Sequence, residues 1–349
     1  MLTRVALTLA MACAVLLLAG CGSADDPAPD EETSPLPGDP SPAPSPGQGG
    51  GGDRALPAEQ WTALPEAPQA LSEVAAAAFG GQLWTAGGLT AGGDASGAVQ
   101  IFDPAFATWD AGPELPEPVH HAALVSSGAE LYLLGGYVGS GFDTPTAAVH
   151  RLDPASGQWA LGPSLPDARA AGAAVWDGDR IVYGGGVGGG GPAGEVFALE
   201  GERWVTVGAL SEPREHLAAA ADGQGRVWFL AGRTGGLDTN LGTVDLVEGD
   251  AVSRIGEVPT PRGGVAGFWS PGTGACVVGG ESPEGTFADV ECVDVDGEVL
   301  VLPALGQARH GLGAAVVEGI AYAALGGTEP GLSVSGTVEG LRLPASPGS

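Results

Sequence analysis

The stretch HHAALVSSGAELYLLGGYVGSGFDTPTAAVHRLDPASGQWAL, residues 120–161, decides the fold. It reads as four short strands in succession. The first, HHAALVSS at 120–127, is small and apolar. The second, LYLLGG at 131–136, ends in a glycine doublet, where the chain needs positive φ or a close backbone approach. The third, ending in Val149-His150-Arg151-Leu152-Asp153, runs into Pro154, so that Asp and Pro take the first two positions of a type I turn. Trp159, six residues after Asp153, opens the fourth.

The pattern repeats along the chain. Apolar segments ending in glycine occur as LWTAGG at 83–88, LYLLGG at 131–136, IVYGGG at 181–186, VWFLAG at 227–232, CVVGG at 276–280 and YAALGG at 322–327. Counted from the first glycine of each, the steps are 48, 49, 48, 47 and 47. Six copies of four short strands at this period predict an all-β, six-bladed propeller. The domain opens on a lone fourth strand, WTALPEAP at 61–68, and closes on a third strand, TVEGLRL at 337–343. The N-terminal strand is therefore expected to complete the last blade, which hides two sheet edges.

The composition agrees. Of 349 residues, 62 are Gly and 29 Pro, and only 16% are charged, which excludes a helical bundle or coiled coil. Hydrophobic residues make up 44%, enough for a packed core. Runs such as Ala75-Ala76-Ala77-Ala78 and Gly313-Ala314-Ala315 suit inner strands crowded around an axis.

The glycine doublet, the Asp103-Pro104 and Asp153-Pro154 turns, and Trp109 and Trp159 together resemble the Kelch repeat, over residues 55–343. The resemblance is strongest in the first three copies. In the fourth, Arg233 is read as replacing the second glycine, and Ile255 and Leu300 stand near where copies five and six of the fourth strand should show Trp. Residues at the start of the first strand and just after the doublet often line the ligand-binding face of Kelch domains.

Upstream, residues 1–20 read as a signal peptide, with Arg4 followed by an uncharged stretch from Val5 to Gly20. Leu18-Ala19-Gly20-Cys21 resembles the lipobox of bacterial lipoproteins, which implies cleavage before Cys21 and its acylation. Several acyl chains give a stable anchor. Gly22 after the Cys points to the outer membrane or cell surface. Residues 21–54, rich in Pro, Gly and Asp, are expected to form a disordered tether, and 344–349 a disordered tail.

Charge limits the partners. Thirteen Arg and no Lys face 42 acidic residues, a formal net charge of −29. Such a surface repels nucleic acid and anionic lipid and favours a monomer. The chain would meet the membrane through its lipid alone.

Four Cys are present; Cys13 lies in the signal peptide and Cys21 at the lipobox. Cys276 and Cys292 fall on neighbouring strands of copy five, either as a cross-strand disulfide or as two buried thiols.

Arg169, Arg214, Arg262 and Arg309 precede the first strand in four successive copies, where the first two copies carry Gln69 and Val119. Arg233 follows a glycine, and His121, His216 and His310 lie nearby. Two readings stand side by side: a ligand pocket at a channel mouth, lined by these Arg with His216 and His310 and suited to a carboxylate or sulfate, or repeat residues making blade hydrogen bonds. The His show no metal-ligand spacing, and His120 and His121, as neighbours on a strand, should point to opposite faces. Asp294-Val295-Asp296-Gly297-Glu298 is read as a hairpin turn, and no phosphate loop or cofactor motif is present.

The leading functional reading is a surface-anchored module that binds a protein or a glycan. The alternatives are a carbohydrate-active enzyme, through a resemblance to six-bladed sialic acid mutarotases with Arg and Glu in the mouth, or a structural envelope protein. The copper-radical oxidases of this fold need a Tyr, His and Cys arrangement that Tyr132, Tyr137, Tyr183 and Tyr322 do not offer.

Overall fold

The structure, a computed structural model, describes residues 60–344. The signal peptide, Cys21 and the tether lie outside the described residues, as does the tail beyond Pro344.

Six four-stranded antiparallel sheets form the chain's six blades. Blade 1 comprises Ala75–Phe79, Gln82–Ala86, Val99–Asp103 and Thr108–Ala111. Blade 2 follows with Ala123–Ser126, Leu131–Leu134, Val149–Asp153 and Gln158–Leu161, and blade 3 with Ala173–Trp176, Ile181–Gly184, Glu195–Glu200 and Arg203–Ala209. Blade 4 is Ala218–Ala221, Arg226–Leu230, Thr243–Glu248 and Ala251–Glu257; blade 5 is Ala266–Ser270, Gly274–Val278, Val290–Val293 and Val299–Leu302. Blade 6 takes Gly313–Val317, Ile320–Ala324 and Val338–Arg342 from the C-terminal end and Thr62–Leu64 from the N-terminal end. The seam is in register, with Thr62 opposite Gly340 and Leu64 opposite Val338. Closure by the N-terminal strand is as the sequence predicts.

The first strands of all six blades surround the axis, each touching its two neighbours, with the sixth returning to the first. Their small side chains leave a shaft of about 400 Å³, lined by residues such as Ala77, Ala220 and Ala315 and by Trp176 and Trp269. Instead of one centre, the apolar core is divided into six clusters, one at each blade junction. A sheet with both faces covered by its neighbours buries nearly its whole second strand, and Leu131–Leu134 is buried throughout.

The glycine doublet sits one residue away from the sequence reading in three blades. The structurally equivalent positive-φ pairs are Gly87-Gly88, Gly135-Gly136, Gly185-Gly186, Ala231-Gly232, Gly279-Gly280 and Leu325-Gly326. The second member of each donates its N–H to the carbonyl at the start of the next blade: Val119, Arg169, Arg214, Arg262, Arg309 and, closing the circle, Leu71. Arg233 thus replaces no glycine. It is the residue after the doublet, and Ala231 holds the position where Gly is usual.

The Trp row is corrected in the same way. Trp61, Trp109, Trp159 and Trp204 each donate the indole N–H to a proline carbonyl of the preceding blade, at Pro303, Pro65, Pro113 and Pro163. The residues standing in that row in blades 4 and 5 are Val252 and Val299, by strand register, not Ile255 and Leu300.

Cys276 and Cys292 face each other in register and form a disulfide. The segment 294–298 is a hairpin turn, with Asp294 Oδ1 accepting the N–H groups of Asp296 and Glu298.

Candidate functional site: the polar mouth of the central channel

Three consecutive residues enter each blade from the mouth side, and the repeat stacks them into three rows. The outermost row is Leu71, Val119, Arg169, Arg214, Arg262 and Arg309. The next is Ser72, His120, Ala170, Glu215, Gly263 and His310. Each of these bridges to the residue after its own blade's doublet: Leu89, Tyr137, Val187, Arg233, Glu281 and Gly327. The innermost row is Glu73, His121, Ala171, His216, Gly264 and Gly311, all with positive φ between 51° and 68°.

The innermost row is a closed ring. His121 N–H donates to the Glu73 carbonyl, Ala171 to His121, His216 to Ala171, Gly264 to His216 and Gly311 to Gly264, while Val74 N–H completes the circle on Gly311. The left-handed backbone aims each N–H tangentially at the next blade. It also overturns the expectation for His120 and His121. The chain leaves strand geometry at His121, φ 57°, so the two imidazoles converge, with Nδ1 atoms 2.5 Å apart.

The Arg row divides. Arg214, Arg262 and Arg309 have no exposed side-chain surface. Each is paired within its blade to a third-strand carboxylate: Arg214 to Asp245 at 2.8 Å, Arg262 to Glu291 at 2.6 Å, and Arg309 to Glu339 at 2.9 Å. Their other donors meet main-chain carbonyls at Phe229, Gly279 and Ala323. These three guanidinium groups are blade supports, and the pocket-lining expectation is corrected for them. Burial lowers the pKa of Arg214 and Arg309 against the pull of Asp245 and Glu339. Arg169 lies over the Phe197 ring and reaches Glu195 at 3.0 Å, itself 52% exposed. It is the one member of the row with an outlet toward solvent.

The partners form a row of their own. Gln100, Asp245, Glu291 and Glu339 each follow a valine in the first two residues of the third strand. Besides binding Arg, three of them accept a loop N–H, from Ser211, Thr260 and Gly306, and Gln100 does the same for Gln69.

Of the predicted site residues, the structure brings Arg233, His216 and His310 together at the axis. Arg233 lies between two carboxylates, Glu215 at 2.9 Å and Glu281 at 2.8 Å. His216 Nδ1 contacts Glu215 at 2.5 Å. His310 Nδ1 lies 3.2 Å from Glu73 and 3.5 Å from Glu281, without hydrogen-bond alignment. Glu73 also reaches His121 Nε2 at 3.2 Å. Glu73, Glu215 and Glu281 escaped the sequence reading because no local motif marks them; only the rows of the folded repeat do.

The electrostatics follow from this crowding. Burial opposes ionisation of Glu73, yet His121, His310 and His216 hold its carboxyl well below the usual carboxylate range. Burial pushes His121 well below its ordinary value, against the pull of Glu73. For His310, burial is outweighed by the Glu73 and Glu281 carboxylates, and its pKa rises. Burial also pushes the Tyr137 hydroxyl up to about 12. Three carboxylates against one guanidinium make the mouth anionic, so it suits a cation or a neutral group better than the carboxylate or sulfate expected of an Arg-lined pocket. Phe142, 60% exposed, stands over this cluster with its ring centroid 5.0 Å from that of His120 and 5.6 Å from that of Tyr137.

Comparisons with known proteins agree with the architecture. The Kelch motif matches residues 118–166, which is blade 2 with its flanking turns. No curated protein sequence matches the chain. Among solved structures, one titled "Structure of YjhT" is 16% identical, covers 79% of this chain and 96% of its own, and superposes with a TM-score of 0.65. At that identity the likeness is one of fold. Motif and ring together define a six-bladed Kelch-type β-propeller, a fold that supports a binding or interaction module.

Proposed function

We propose that the chain is a lipid-anchored bacterial envelope protein, at the outer membrane or cell surface, whose propeller binds a protein or a glycan on the face carrying the channel mouth. One observation carries this reading. The loops between second and third strands gather on that face and differ from blade to blade, while the strands beneath them repeat. They carry Phe142 and Leu332, 60% and 56% exposed, beside the buried polar cluster. An exposed aromatic next to fixed polar groups is what a sugar face or a protein hot spot requires. An acid–base enzyme acting on an acidic sugar is less well supported, because Arg233 is already spent on Glu215 and Glu281.

The test uses the soluble domain, residues 55–349, against a panel of neutral and acidic glycans and against envelope protein fractions. Saturable binding weakened at least about tenfold by Phe142→Ala, the loss of one anchor side chain, supports the reading. Binding indifferent to Phe142→Ala and Leu332→Ala sinks it, and sugar turnover without such dependence favours the enzyme. For the anchor, the mature chain should begin at Cys21 with added acyl mass, and Cys21→Ala should release it from the membrane fraction.

A further inference from the structure

Three side chains of the axial ring serve nothing that the fold requires. Glu73, His121 and His216 hold the ring position in blades 1, 2 and 4, where blades 5 and 6 have Gly264 and Gly311. The backbone there is left-handed, with φ of 53°, 57° and 51° at the three residues. Glycine adopts that conformation freely, while a residue with a Cβ is disfavoured in it. Ala171 in blade 3 shows that the ring admits a Cβ, so the backbone does not call for an acid or an imidazole at any of these positions.

Their orientation is specific as well. One donor atom from each of the three lies within 4.8 Å of the other two. His121 turns Nε2 toward Glu73 Oε2 at 3.2 Å, while its Nδ1 is engaged by His120. His216 has Nδ1 tied to Glu215 Oε2, which leaves Nε2 as the free nitrogen. An imidazole whose far nitrogen is fixed by a carboxylate is the usual arrangement around a metal-ligating His, since it sets both tautomer and ring direction. The ring also lines a cavity of about 70 Å³ on the axis, to which all three contribute. That is room for an ion with one or two waters. The surrounding charge calls for a cation, with Glu73, Glu215 and Glu281 set against Arg233 alone.

We propose that Glu73, His121 and His216 bind a divalent transition-metal ion of borderline softness, such as zinc, on the propeller axis. Two imidazoles and a carboxylate suit zinc and its first-row neighbours; calcium and magnesium prefer shells built of oxygen. Three protein ligands leave further coordination positions facing the cavity. A second cluster, Glu73, Glu281 and His310, lies beside the first. Its Glu281 already neutralises Arg233, accepting from Nη1 at 2.8 Å, and accepts the Gly331 N–H at 2.8 Å as well, and the cluster has one imidazole where the first has two. The ion belongs to the His121 and His216 side.

The purified mature protein, stripped with a chelator, is titrated with Zn²⁺ by calorimetry and with Co²⁺ by visible absorption, with melting curves recorded in parallel. One ion per chain is expected, with a raised melting temperature and Co²⁺ bands of a nitrogen- and oxygen-ligated site. His216→Asn and Glu73→Gln should abolish saturable binding. Glu215→Gln, which frees the His216 ring, should weaken it by about 10–100-fold while keeping the Co²⁺ spectrum. His150→Asn, on the third strand of blade 2, should bind like the parent chain. Melting curves without metal establish that each variant is folded. Absence of saturable binding by the parent chain overturns the proposal, as does binding that survives both His121→Asn and His216→Asn. Loss in His310→Asn with retention in His216→Asn places the ion in the neighbouring cluster and overturns the assignment too.

Discussion

Four junctions of the ring and the two that flank blade 4 are held together by different chemistry. From blade 5 through blades 6, 1 and 2 to blade 3, each junction carries an indole-to-proline hydrogen bond, made by Trp61, Trp109, Trp159 and Trp204. The junctions on either side of blade 4 have none. There the chain closes the gap by direct approach. A Cβ on Gly208 would stand 2.5 Å from Val252 Cγ2, and one on Gly297 would stand 2.5 Å from the Ile255 carbonyl oxygen. Trp228 packs on Trp269 across the same region, with centroids 4.9 Å apart. Buried ion pairs brace blades from within on both sides of this divide: Arg214–Asp245 in blade 4, which has no stitch, and Arg262–Glu291 and Arg309–Glu339 in blades 5 and 6, which the indoles also reach; blade 5 adds the disulfide. A repeat protein can thus meet one geometric demand, fixed spacing between neighbouring sheets, with indole stitches at four junctions and with close backbone approach at the two around blade 4.

Substitutions that remove one device at a time test this contrast. The largest effect is expected from Arg262→Ala, which leaves Glu291 buried without its partner and should cost about 3–5 kcal/mol in urea unfolding. The double variant Arg262→Met with Glu291→Leu should recover most of that loss, since apolar replacement of a whole buried pair is often neutral. Next comes Cys276→Ala with Cys292→Ala, expected to lower stability by about 3 kcal/mol for a short closed loop. Equal melting temperatures for the reduced and oxidised protein would contradict this. Gly208→Ala crowds Val252 at the unstitched junction and should cost about 1–3 kcal/mol; Val252→Ala added to it should restore part of the loss by making room. The smallest effect falls on the stitched arc. Trp159→Phe keeps the ring packing and loses one hydrogen bond to Pro163's counterpart in the preceding blade, Pro113, for about 0.5–1.5 kcal/mol. A loss at Trp159 larger than that at Arg262 would reverse the comparison.

Blade number, seam and disulfide pairing were readable because each follows from a residue type with a strong positional demand. The doublet's register was not, where glycine is ambiguous. Gly184-Gly185-Gly186 offers two doublets, and Ala231 and Leu325 adopt positive φ without being glycine. The Arg row was visible, yet its role depended on Asp245, Glu291 and Glu339, which lie roughly 30 residues further on and become partners only through strand pairing. The polar mouth was the least legible part. Its members come from separate blades, spaced by a full repeat, so no short window contains two ligating groups in a recognisable spacing. His120 and His121 misled for the opposite reason: adjacent in sequence, they are separated from strand rules by one left-handed residue.

The ring of inter-blade hydrogen bonds on the axis has a consequence for how such a protein can change. Because the links are backbone to backbone, the bore they define has a fixed gauge whatever side chains project from it. Exchanging Glu73, His121 or Ala171 for other residues would change the chemistry presented at the aperture while every backbone link of the ring stays available. The ring therefore resembles a diaphragm with interchangeable teeth, held together by main-chain bonds that none of the six side chains supplies.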